Sequence, residues 1–166
     1  MIGTLQWCAT LKRFDVMHSV MIMSRFRVGP RQGHLDHLSK IFGHLRQNPE
    51  TKIGFRNGIP DCEAFCSMPE HDWMHSVHGE AEAPFIDGLT PPPKAKTAQV
   101  MAFCDSALAA CKVSGKASTG VLVFVNQTPV DWHSKLQKPT KTAVCGAEFS
   151  AAQTGMEKLM DILATL

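Results

Sequence analysis

Tyrosine is absent from all 166 residues of this chain, and other absences narrow its role further. No apolar run is long enough to span a bilayer, and no charged-then-apolar leader opens the sequence. Neither a membrane-spanning nor a secreted protein is expected. The six cysteines therefore read as free thiols of a reducing compartment, cytoplasm or nucleus, rather than as a disulfide framework. Glycine-rich phosphate loops are missing, and no hairpin carries paired aspartates, which excludes a centre for nucleotidyl transfer.

What is present suffices for a core. Hydrophobic residues make up 44% of the chain, which allows one ordinary domain, or one small domain with part of another. The net charge of +2 hides an uneven distribution. Residues 1–56 hold nine Lys/Arg against three Asp/Glu, residues 57–97 two against seven, and the remainder six against five. A basic helical segment suits a phosphate backbone, with a solvated helix face as the plain alternative.

Met1 to about Leu11 is apolar enough for a short helix, and Asp15 is placed to cap a second through its side-chain oxygen. Val16, Met17, Val20, Met21 and Met23 give that second helix a broad apolar face, which Gly29-Pro30 ends. Pro30 suits the first position of a third helix, striped by Leu35, Leu38, Ile41, Phe42 and Leu45. Lys52 to Arg56 reads as one short strand. Residues 57–97 lose periodicity, gather acids and end in Pro91-Pro-Pro93, an extended linker or spacer.

Order returns in residues 98–166. Val100 to Asp105 alternates as a strand, with Met101, Phe103 and Asp105 on one face. Ser118 to Val125 is a continuous apolar strand, Asn126 to Pro129 a turn, and Val130 to Ser134 a returning strand. Gly146 opens a helix that runs to the last residue, striped by Phe149, Ala152, Met156, Leu159, Leu163 and Leu166. Packing this helix on the sheet is expected to carry Glu148 toward Asp105. Two acids so joined are what a Mg²⁺-dependent phosphodiesterase uses, since oxygen ligands suit the ion and the ion offsets their repulsion.

The order Phe103-Cys-Asp105, Lys116-Ala-Ser-Thr-Gly120, Thr128-Pro-Val-Asp-Trp132, Ser134-Lys135 and Gly146-Ala-Glu-Phe149 resembles the ribonuclease H region of copia-type LTR retrotransposon Pol polyproteins. Upstream, Met1 to Leu5, Arg13-Phe-Asp-Val16, Met23-Ser-Arg-Phe26, Pro30, His34 and Ile41-Phe-Gly-His-Leu45 are similar to the segment preceding it. The likeness covers nearly the whole chain and is weakest from Asp61 to Lys96. Several sites where the family pattern has tyrosine hold His44, His75, His78 and Cys145 here.

The resemblance implies an α+β, mixed fold: a helical end of reverse transcriptase (1–56), a linker (57–97), and a truncated ribonuclease H-like domain of three antiparallel strands and a helix (98–166). It implies Mg²⁺ as cofactor, with Asp105 and Glu148 as catalytic metal ligands. The implied partners are an RNA–DNA hybrid and the remainder of Pol, with no membrane. Lys12, Arg13, Arg25, Arg27 and Arg31 are its candidate backbone contacts. Ribonuclease H chemistry uses about four carboxylate-type ligands on two ions. The third and fourth are expected beyond Leu166, so this chain alone is expected to be inactive.

Two other readings stand beside this one. Cys62 and Cys66 with His71, His75 and His78 fall within the loose spacing of zinc sites, which would make an interaction module. The stretch lacks the apolar framework of a zinc finger. The other reading is a relic without function. Cys104, Cys111 and Cys145 form no metal spacing and are read as small core residues. His34, His37 and His44 are read as polar-face residues of a helix.

Overall fold

The computed structural model describes residues 1–58, 60 and 98–165. The expected linker and the cysteine–histidine stretch from Cys62 to His78 lie outside those residues. Four helices and a three-stranded antiparallel sheet form a mixed α and β architecture. The chain order is α1 (Ile2–Leu11), α2 (Met17–Ser24), α3 (Gln32–Gln47), β1 (Val100–Ala107), β2 (Ser118–Val125), β3 (Thr128–Leu136) and α4 (Val144–Leu163).

The three N-terminal helices close on one cluster of Leu5, Ala9, Val16, Val20, Met23, Leu38 and Ile41, with Phe42 and Leu45 packed around it. Burial of side chains of this size stabilises by about 1.5–3 kcal/mol each relative to exposure. The α3 stripe is thus inward at its centre, while Leu35 remains 42% exposed at its start. Asp15 does not cap α2. It sits in a single 3-10 turn, Phe14–Val16, and its carboxylate is taken by Arg13 and His44 instead. Pro30 lies just ahead of α3 rather than within it. The helix begins at Gln32, where the Arg31 backbone N–H donates to His34 Nδ1 at 3.0 Å and His34 stacks on Phe26.

Lys52 to Arg56 forms no strand. Its backbone groups find side-chain partners instead, the Arg56 N–H donating to Thr128 Oγ1 at 2.8 Å and the Arg56 carbonyl accepting from the same hydroxyl. The sheet order is β1-β2-β3, with Phe103 opposite Leu122 and Leu122 opposite Trp132. The hairpin between β2 and β3 turns on Asn126 at φ 54°, a left-handed position that asparagine tolerates. Asn126 also ties the turn to the start of β1: its Oδ1 accepts from the Gln99 N–H at 2.9 Å.

Helix α4 covers one face of this sheet, and its inward stripe is Ala147, Ala151 and Gly155, all buried. The large side chains expected there point outward: Phe149 is 72% exposed, with Met156 and Leu163 also exposed. Small residues win because the helix rides close on the strands, with Ala102 and Cys104 directly beneath Gly155. The other face of the sheet receives α1 and α2. There Trp132 Nε1 donates to the Ala9 carbonyl at 2.7 Å, so the sheet is the middle of three layers.

Candidate functional site

Strand parity decides where Asp105 goes. Cys104 and Ala102 meet Gly155 of α4, so Phe103 and Asp105, one residue out of phase, face the opposite side. Leu122 and Trp132, in register with Phe103, share that side. So do Gly120 and Ser134, in register with Asp105.

Over this face lie Phe14, Met17 and His18, and between the two layers is a cavity of about 350 Å³. Its walls include Phe14, Met17, Phe103, Leu122 and Trp132. Phe14 packs on Trp132 with ring centroids 5.4 Å apart, and the Ala9 carbonyl fixes the indole. The polar groups are few: Ser134 Oγ lies 3.4 Å from His18 Nδ1, and Asp105 has no hydrogen-bond or ion-pair partner among the described residues.

Glu148 is half-buried in the first turns of α4, the helix that covers the other face. Its neighbour Ala147 accepts at its carbonyl from Gln137 Nε2 at 2.9 Å, which pins the start of α4 to the end of β3. Among the described residues no group of three or more His, Cys, Asp or Glu side chains gathers to hold a metal ion. Magnesium asks for several oxygen ligands converging on one point. Two acids borne on elements of opposite faces do not make that donor set.

The basic residues divide. Arg13 is 4% exposed and three of its five N–H donors are taken: Nε and Nη2 donate to the two Asp15 oxygens at 2.9 and 2.8 Å, and Nη1 to the Asn48 carbonyl at 2.8 Å. It locks the helical unit, and its burial keeps it from a phosphate. This hydrogen-bonded guanidinium holds the Asp15 carboxyl down at about 2, with His44 adding to the effect and burial opposing it. Lys12, Arg27 and Arg31 are exposed. Arg25 is half-buried, near the Phe26 ring and bonded to the Cys111 thiol.

The expectation of a small core residue holds for Cys111 as far as burial goes. It is buried at 3% exposure, yet it has two partners, the Ser114 backbone N–H at 3.2 Å and Arg25. The contacts with Ser114, then that with Arg25, bring its thiol down to about 7. No sequence signal marks this, because Arg25 comes from a distant part of the chain. Cys104 rests against α4, where burial raises its thiol. Even so, Cys104 and Cys145 are both exposed, so neither is the core residue expected. On the α4 side of the sheet, Lys158 pairs with Asp131, and His133 is held low by burial and by the charges of Lys158 and Lys135.

The chain is 26% identical over 159 residues, 95% of its length, to a retrovirus-related Pol polyprotein from transposon TNT 1-94 of Nicotiana tabacum. It spans 9% of that relative. The similarity supports an origin in a retrotransposon Pol polyprotein, and with it a link to the rest of such a polyprotein. No protein-family profile matches the chain, and no solved structure matches it. No helix among the described residues is long and apolar enough to cross a membrane.

Proposed function

We propose that this chain is the junction of a copia-type Pol polyprotein, joining the end of reverse transcriptase to the first half of a ribonuclease H domain. The observation that carries the reading is the element order. A strand bearing Asp105 is followed by two antiparallel strands and a helix whose first turns bear Glu148. Similarity to a Pol polyprotein over 95% of the chain supports it.

In this reading Asp105 and Glu148 descend from metal-binding acids of a nuclease acting on RNA–DNA hybrids. Asp105 lies on the face of β1 turned away from α4, the helix that bears Glu148, so loose Mg²⁺ binding and no cleavage by this chain alone are expected. What the chain retains in this reading is contact with nucleic acid through the exposed Lys12, Arg27 and Arg31. Contacts of this kind are made to the backbone, are indifferent to sequence and weaken steeply with salt.

Binding of a fluorescent RNA–DNA hybrid, titrated at several salt concentrations, tests the binding half of the proposal. Weak binding at low salt that fades toward physiological salt is expected. Replacing Lys12, Arg27 and Arg31 by alanine together should abolish it. Binding that ignores both salt and those three substitutions would remove the N-terminal helices from the account.

A further inference from the structure

The cavity between the 3-10 turn, α2 and the sheet joins an apolar recess that the nuclease reading leaves unused to Asp105, which that reading does use. Its volume of about 350 Å³ falls at the lower end of small-molecule pockets. Three aromatic rings line it, Phe14, Phe103 and Trp132. The Trp132 ring cannot turn freely, since its N–H is held by the Ala9 carbonyl. At the exposed end stands the Asp105 carboxylate, without a cationic partner among the described residues.

An apolar recess ending in an unpaired carboxylate is complementary to a ligand of the same pattern reversed. We propose that this cavity is a binding site for a small organic cation with an aromatic or aliphatic body, such as an arylalkylammonium. The body fills the space between Met17, Leu122 and the rings. The ammonium meets Asp105 at the mouth, over Gly120 of the neighbouring strand. Aromatic faces close to a cation add to the attraction, the more so where water is excluded. Of the basic groups near the cavity, His18 faces it from α2. His133 lies on the parity that faces α4 and Lys158, so it does not compete for Asp105.

The assignment is independent of nuclease descent, and its test needs no nucleic acid. Trp132 is one of three tryptophans, so Trp7→Phe with Trp73→Phe makes its fluorescence report on the cavity alone. Phenethylammonium is titrated against phenethyl alcohol, its neutral counterpart of the same body, at a pH above the ordinary imidazole range. Saturable quenching by the ammonium, roughly tenfold tighter than by the alcohol, is expected, a preference worth about 1.4 kcal/mol. Asp105→Asn should remove the preference, bringing the ammonium's affinity down to that of the alcohol. This side chain has no partner to lose, so the variant folds as the parent does. Leu122→Phe, which narrows the recess without adding an indole, should weaken both. No saturable response, or equal binding of ammonium and alcohol to the parent, overturns the proposal.

Discussion

Trp132 and Ala9 are 123 residues apart, and the indole N–H of one donates to the carbonyl of the other at 2.7 Å. The bond answers a specific need. Helix α1 ends at Leu11, and its last carbonyls have no partner within the helix. The Cys8 carbonyl is taken by the N–H groups of Lys12 and Arg13. That of Ala9, a residue with no exposed surface, is taken by Trp132. One side chain of the sheet therefore completes a helix of the N-terminal unit and forms a wall of the cavity.

Trp132→Phe keeps a ring in place and removes the donor. It should destabilise the chain by about 1–3 kcal/mol, the cost of a buried carbonyl left unsatisfied. Urea unfolding would measure this. The same variant should also loosen Phe14, read as a wider spread of α1 and α2 amide exchange rates. An unchanged midpoint would mean that the two layers do not depend on this bond.

At Gly155 helix α4 lies directly against β1. A Cβ added there would collide with the Cys104 thiol and touch the Cβ of Ala102 at 3.8 Å. Gly155→Ala raises helix propensity by about 1 kcal/mol, yet the collision should outweigh this and destabilise by about 1–3 kcal/mol. Removing the sulfur in the double variant Gly155→Ala with Cys104→Ala should recover most of the loss. Equal losses in the single and double variants would refute the close approach.

Much of the sheet was legible in advance, and the reason is local. Ser118 to Val125 is an unbroken apolar run bounded by a turn, and β2 has the ends that run predicts. The alternation of β1 likewise placed Phe103 and Asp105 on one face. What failed was tertiary. Periodicity counts apolar side chains without regard to size, so it turned Phe149 and Met156 inward, where the close-packed helix admits only Ala147, Ala151 and Gly155. Asp15 looked like a cap because its other suitors, Arg13 and His44, include one that is 29 positions away. The face of β1 on which Asp105 lies relative to α4 was not legible either, since strand alternation sets parity but not the face to which a helix is added.

Acid should weaken the N-terminal unit first. The Arg13 guanidinium holds the Asp15 carboxyl at about 2, below the ordinary carboxylate range near 4. A carboxyl depressed by folding contributes stability that is complete above its unfolded pKa and is lost as pH falls through the folded one. Stability carried by this pair should therefore be full at pH 5 and drain away between roughly pH 4 and 2. Asp15→Asn should flatten that part of the profile and lower stability at pH 7. Part of the effect is screened, since the carboxylate is partly open to solvent. A parent and variant with parallel profiles would assign no such role to the pair.

The central claim is that Asp105 and Glu148 descend from nuclease acids without forming a working magnesium centre in this chain. The direct test is incubation of the whole chain with a labelled RNA–DNA hybrid and Mg²⁺, beside Asp105→Asn and Glu148→Ala. The account predicts no cleavage by any of the three proteins, at low salt where the hybrid binds. Mg²⁺-dependent cleavage by the parent that disappears in either variant would contradict it.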